Sequence, residues 1–192
     1  LITLKASDIY NQSLDKQRII VTGAQSGLVA SMIRHVLNFN ERKFDYVFDN
    51  ESPAVSAEAP LIIIQANSQL LDYKHHIAIL TNPTSNSQVE ELEKLADATP
   101  KGGTLLYTEL NPIIKKIGSK ERTDVQLIAY KVFEHNKKGS DVKLISSTGE
   151  QFPVSLITDS QLESASAARE LLKKIGISSS QFYKALGTYS PV

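Results

Sequence analysis

RIIVTG at Arg18–Gly23 and, two residues later, SGLVASMIRHVLNF at Ser26–Phe39 decide how this chain is read. Ile19, Ile20 and Val21 form an unbroken β-branched run of strand length, closed by a glycine. Downstream, Leu28, Val29, Met32, Ile33, Val36 and Leu37 recur at helical spacing and make one apolar stripe. A strand, a tight turn and a helix with one buried face follow in order, which is the opening unit of an α/β fold. Working outward, apolar runs of strand length recur at Phe44–Phe48, Leu61–Gln65, Ile77–Leu80 and Thr104–Tyr107. Their continuous apolar character suits parallel strands covered on both faces. Between the last two lies a crossover helix at Gln88–Ala98. It begins after Ser87, carries Glu90 where a capping box needs it, and ends before Pro100 and Gly102-Gly103.

After Asp124 the texture changes to short β-like pieces, DVQLIAY, KVFEH, VKLIS and FPVSLI, broken by polar turns such as Ser147–Glu150. They are expected to form a small antiparallel addition to the main sheet. Ser160 with Glu163 reads as a second capping box, opening a helix to about Lys174 that stops at Gly176. Ser178 and Gln181 open a last short helix. The predicted architecture is a three-layer α/β domain with a mainly parallel sheet. At 192 residues, residues 1–192 are read as a single domain, with the polar stretch Asn50–Pro60 as a loop.

Composition narrows the function classes. Lys and Arg number 21 against 21 Asp and Glu, so no global field steers the chain toward nucleic acid or an anionic membrane. No apolar run approaches the length of a membrane span. Cysteine is absent, which excludes disulfides, a thiol nucleophile and thiolate metal sites. The first thirty residues lack the apolar core of a signal peptide, so a reducing cytoplasm is expected.

The glycine-bearing turn Val21–Leu28 carries the chemistry most open to reading, because backbone N–H groups at a helix start form a natural anion cradle. A phosphate loop would need a lysine and a following hydroxyl, and Leu28 and Val29 stand in their places. A dinucleotide fingerprint would need a third glycine where Val29 stands, although Asp49 lies about 20 residues on, as a ribose-binding acid would. A short-chain dehydrogenase would need a Tyr with a Lys four residues later, and none of the 7 tyrosines has one. A bare strand-to-helix turn remains the third reading. The histidines His35, His75, His76 and His135 lack metal-pair spacing and are read as solvated or cap-forming. Glu90, Glu91, Glu93 and Lys94 form a charged helix face. Lys115-Lys116, Lys137-Lys138 and Lys173-Lys174 are read as solubilising features.

Taken in order, RIIVTG...SMIRHVL, EAPLIII, HHIAILTN, PKGGTLLY and ARELLKKIGISSSQFYKALGTYS resemble the central ATP-binding domain of the Mur ligases. The likeness runs from about Tyr10 to Tyr189 and is strongest to the murein peptide ligase branch, which joins UDP-N-acetylmuramate to a recycled peptide. It implies a middle domain, without the N-terminal domain that grips the UDP-sugar or the C-terminal domain that closes over ATP. Family members use ATP and Mg²⁺ to phosphorylate a carboxylate, which an amine then attacks.

Against that family pattern four motifs have changed. Gly23, Ala24, Gln25, Ser26 and Gly27 lie in a loop that has lost its lysine and hydroxyls and is one residue shorter. Gln65-Ala66-Asn67-Ser68-Gln69 replaces the stretch that supplies a metal-binding glutamate, and amides lack the charge that holds Mg²⁺. Asn86 and Ser87 stand where the family has Asp-His. Ser160, Gln161 and Ser164 stand where it has its adenine-holding motif. The resemblance therefore implies a catalytically degenerate domain, a pseudoenzyme with no catalytic residue, metal or cofactor. It would serve as a binding or regulatory module with a protein partner in bacterial peptidoglycan precursor synthesis or recycling. The alternative is an active ligase that uses ATP and Mg²⁺ to join UDP-N-acetylmuramate to a peptide or amino acid. In the degenerate reading Gly23–Gly27 is a vestigial site for phosphate or sulfate, with free N–H groups around Gln25–Leu28. Ser87 and Ser160 are expected to have become helix caps.

Overall fold

A computed structural model of the chain describes residues 4–48 and 55–191. The chain divides into two compact units. One comprises residues 1–27 and 43–129, the other residues 28–42 and 130–192.

The first unit carries α1 (Ala6–Gln12), β1 (Gln17–Thr22), the start of α2 (Ser26–Phe39), β2 (Asp45–Phe48), β3 (Leu61–Gln65) and a 3₁₀ turn at Leu70–Tyr73. It continues with β4 (Ile77–Leu80), α3 (Gln88–Asp97), β5 (Thr104–Thr108), α4 (Pro112–Gly118) and β6 (Gln126–Tyr130). The strands form one sheet in the order β2-β3-β1-β4-β5-β6. The pairs β2·β3, β3·β1, β1·β4 and β4·β5 are parallel, with Ile19 opposite both Ile63 and Ile77. The mainly parallel α/β class expected from the sequence is the one observed. Ile20, Ile62, Ile64, Leu80 and Leu105 share a core with Ile9 of α1, Leu92 and Leu95 of α3 and Ile114 of α4. Residues of the opposite pleat, Ile19, Val21, Ile63, Ile79 and Leu106, are also fully buried. Each such side chain contributes about 1.5–3 kcal/mol by leaving water, which is why unbroken aliphatic runs belong in these strands.

α4 starts sharply because Asn111 Oδ1 accepts from the N–H groups of Ile113 and Ile114, with Pro112 in the first turn. Its last residue is Gly118, where a Cβ would stand 2.1 Å from the Tyr107 ring. Glycine is therefore what allows α4 to end against β5.

The second unit holds the rest of α2, then β7 (His135–Lys138), β8 (Asp141–Ile145), β9 (Gln151–Val154), α5 (Asp159–Lys174) and α6 (Ser179–Leu186). β7, β8 and β9 make a separate three-stranded antiparallel sheet. The small antiparallel β addition expected from the sequence is present, as a sheet of its own. Only DVQLIAY joins the main sheet, as its edge strand β6, where Leu127 and Ile128 are half-buried. Phe133 stacks on Phe182 at 6.2 Å and Phe152 on Tyr183 at 4.2 Å, tying the antiparallel segment to α6.

Both expected serine caps are corrected. Ser87 has helical backbone angles and no side-chain capping bond, and its Oγ pairs with Ser85 Oγ instead. At α5 the box is formed two residues earlier, by Thr158 and Gln161. Thr158 is extended at φ −109°, ψ 153°, as an N-cap must be, and it places Asp159 in the first turn where the dipole favours an anion. The expected box at Ser178 and Gln181 is present.

Candidate functional site

Parallel strands bring the loops that follow β1, β3 and β4 to one edge of the sheet, so Gly23–Gly27, Ala66–Gln69 and Thr81–Ser87 meet there. Gly23 has φ +102°, and a Cβ on it would lie 2.3 Å from Thr81 Oγ1 and 2.5 Å from the Asn82 carbonyl. Only glycine permits this approach.

Four of the turn's N–H groups already have acceptors. Gly23 N–H donates to Asn67 Oδ1 at 2.7 Å, Ala24 N–H to the Asn82 carbonyl at 2.7 Å, and Gln25 N–H to Thr81 Oγ1 at 3.2 Å. Ser26 N–H donates to the Gly23 carbonyl at 3.1 Å. The expectation of free N–H groups is thus corrected at Gln25 and Ser26.

Amides dominate this arrangement. Asn67 Oδ1 accepts from Thr22 Oγ1 at 3.2 Å and Gln88 Nε2 at 3.0 Å as well as from Gly23. Gln88 is buried, and its Oε1 accepts from the N–H and hydroxyl of Thr84. Gln65 Oε1 accepts from the Tyr46 hydroxyl, and Gln65 Nε2 would lie 3.3 Å from a Cβ on Gly27. Gln25 Oε1 accepts from Asn82 N–H at 3.1 Å. A magnesium triphosphate asks for free N–H donors, a cation beside the phosphates and anionic oxygens for the metal. Here the donors of Gly23, Ala24, Gln25 and Ser26 are engaged, and the amide oxygens of Gln25, Gln65, Asn67 and Gln88 are neutral and already accepting. The residues present do not fit that group. Among the described residues no three His, Asp or Glu side chains gather as a metal site would require.

The remaining sequence candidates take no part in the hydrogen bonds of this network. Asn86 and Ser87 are exposed in the loop before α3. Ser160, Gln161 and Ser164 belong to α5 in the other unit. Gln161 is consumed by the capping box, and the Ser164 hydroxyl is buried without a hydrogen-bond partner. Asp49 lies outside the described residues. Sequence reasoning missed Tyr46, Thr81, Asn82 and Gln88. Thr81 had a usable signal: it continues β4 directly, and its backbone N–H and hydroxyl both donate to the Thr22 carbonyl.

Charge is concentrated at the opposite end of the strands. Lys16 is buried with Asp45 at 3.3 Å and donates to the carbonyls of Ser56 and Ala59. His75, read as solvated or cap-forming, is buried and meets the Thr99 hydroxyl at 2.9 Å. Burial, then the charges of His76 and Arg18, lower its pKa to about 4. His76 is half-buried and its pKa is lowered by burial and by Arg18. In the second unit, His35 bonds the Ala185 carbonyl and Thr188 hydroxyl, and His135 the Phe133 carbonyl.

Comparison with solved structures decides what this architecture is similar to. Murein peptide ligase from Neisseria meningitides superposes with a TM-score of 0.69 at 15% identity, covering 97% of this chain and 69% of that one. The fold is Mur-ligase-like. The D-alanyl-D-alanyl ligase from Acinetobacter baumannii, which acts on UDP-N-acetylmuramoylalanyl-D-glutamyl-2,6-diaminopimelate, gives a TM-score of 0.76 at 13% identity. That match covers 97% of this chain and 49% of the ligase, so the chain spans about half of its length. Folylpolyglutamate synthetase from Lactobacillus casei gives 0.68 at 12% identity, with 97% and 65% covered. No protein-family model and no curated protein sequence matches the chain. The Mur-ligase-like fold is therefore shared with ligases of two substrate classes, while the amide network occupies the turn after its first strand. Among the described residues no helix is long and apolar enough to cross a membrane.

Proposed function

We propose that this chain is a degenerate Mur-ligase-like module of bacterial cell-wall metabolism that binds or regulates rather than ligates. It acts in the cytoplasm, in association with a protein partner. The observation that supports this reading is the engagement of the Gly23, Ala24 and Gln25 N–H groups by Asn67, Asn82 and Thr81, with Gln65 and Gln88 holding the surrounding side chains. Opening the turn to a triphosphate would break at least the three bonds to Gly23, Ala24 and Gln25. Each contributes about 0.5–1.5 kcal/mol, and neither a lysine nor a carboxylate stands in the turn to compensate. The capacity of the fold to host ligases does not carry their chemistry with it.

The test is calorimetric titration of the full chain with ATP and Mg²⁺, followed by a UDP-muramyl peptide, alongside melting curves in the same solutions. A ligand at 100 times its Kd would add about 2.7 kcal/mol of stability. ATP with Mg²⁺ is expected to give neither heat nor stabilisation. Micromolar Mg²⁺-dependent ATP affinity, or ATP hydrolysis that depends on a muramyl substrate, would overturn the proposal in favour of an active ligase.

A further inference from the structure

At the N-terminal end of the same sheet, remote along the strands from the Gly23–Gly27 turn, Arg18 is the second residue of β1 and His76 immediately precedes β4. Two backbone bonds join this corner: His76 N–H donates to the Arg18 carbonyl at 2.9 Å, and Arg18 N–H donates to His76 Nδ1 at 3.0 Å. The second bond sets the tautomer. A backbone N–H cannot accept, so Nδ1 must be unprotonated and the proton of neutral His76 resides on Nε2. Yet Nε2 lies 3.3 Å from Arg18 Nη2, a guanidinium nitrogen that only donates. Two N–H donors therefore face each other, and no side-chain rotation of His76 that keeps the Arg18 bond relieves this.

Arg18 cannot easily turn away. Its Nε donates to the Lys74 carbonyl at 2.9 Å and its Nη1 to the Ser13 carbonyl at 2.8 Å, with the guanidinium stacked on the Tyr10 ring. The arginine is buried and held in place. His76 lines a cavity of about 410 Å³ together with Lys16, Lys101, Asp15, Gly102 and Gly103. Lys16 is neutralised by Asp45, so the lining sets Lys101 against the single exposed carboxylate Asp15, and the Arg18 guanidinium, which does not itself line the cavity, adds its charge beside His76 Nε2 at 3.3 Å.

We propose that this corner is a binding site for an oxyanion, in which a phosphate or carboxylate oxygen accepts from His76 Nε2–H and Arg18 Nη2–H and Lys101 attracts it at the mouth. An anion placed there converts a donor–donor opposition into two charge-assisted bonds. The lowered pKa of His76 is consistent with the unliganded state, because burial and the facing Arg18 both penalise the imidazolium. The charged and titratable groups of this corner are Arg18, His75, Tyr10, Lys74, Lys101, Lys16 and Asp15. Of these only Asp15 opposes anion entry.

The experiment is an NMR titration of the full chain with inorganic phosphate and, separately, acetate at constant ionic strength, following the His76 ring nitrogens and the amides of Gly102 and Gly103. Saturable shifts at these groups with a Kd of about 1–10 mM are expected, together with a rise in the His76 pKa when the anion is saturating. Lys101→Glu should weaken binding about fivefold to tenfold by reversing the charge at the mouth. Shifts with phosphate alone assign the site to phosphate esters, and shifts with both anions assign it to oxyanions in general. Absence of saturable shifts at either anion, shifts confined to the Gly23 and Gly27 amides, or affinity unchanged in both Lys101→Glu and His76→Asn would overturn the proposal.

Discussion

Acidification between pH 7 and pH 5 should cost this fold about 2 kcal/mol through His75 alone. The residue is buried, its Nε2 shares a hydrogen bond with the Thr99 hydroxyl, and its folded pKa is held near 4 against an ordinary value of 6.5. An unfolded chain takes up a proton on His75 near pH 6.5, whereas the folded chain resists until about pH 4. The stability contributed by the neutral imidazole is therefore fully present above about 6.5 and is lost as the pH falls toward 4. The separation of the two pKa values corresponds to about 3.4 kcal/mol in total, of which about 2 kcal/mol is spent between pH 7 and pH 5. His76 is lowered in the same direction and adds to the loss. Stopping at pH 5 keeps most carboxylate titration out of the window. The assay is urea unfolding at both pH values for the native chain and for His75→Gln, which retains a polar group toward Thr99 and cannot titrate. The native chain should lose about 2 kcal/mol more than the variant. Parallel losses within about 0.5 kcal/mol would refute the reasoning, as would an NMR titration placing the His75 pKa near 6.5.

Other expectations follow from the core, the ion pair and the turn. Ile63→Ala should cost about 2–5 kcal/mol in denaturant melts, because the side chain is fully buried in a central strand and its removal leaves a cavity. A cost below about 1 kcal/mol would contradict burial on both faces. Lys16→Met should cost about 3–5 kcal/mol by leaving the Asp45 carboxylate buried without its cation, and a loss under about 1 kcal/mol would show that Asp45 reaches water. Gly23→Ala should destabilise by more than about 2 kcal/mol, since a left-handed backbone angle and contacts with Thr81 and Asn82 act together. Wild-type stability in that variant would mean the turn is not closed as described.

How far the chain can be read unaided depends on the range of the forces involved. Leu61–Gln65, Ile77–Leu80 and Ser26–Phe39 were legible to the residue, because an apolar run or stripe records locally which faces will leave water. The loss of charge at Gln65 and Asn67, and the missing lysine of the turn, were equally legible as residue identities. What those amides do instead was not. The acceptors of Gly23 and Gln25 lie 44 and 56 residues away in sequence, and Gln88, on a helix that reads only as a crossover, reaches Asn67 across 21. The same limit explains the histidines. Whether His75 or His76 meets solvent is decided by Thr99 and Arg18, which the fold brings alongside. At α5 the expected box at Ser160 and Glu163 gives way to Thr158 and Gln161, because the chain is extended at Thr158 and helical from Asp159 onward. Periodicity is written residue by residue, whereas hydrogen-bond partnership and burial belong to pairs of segments that only the folded sheet places together.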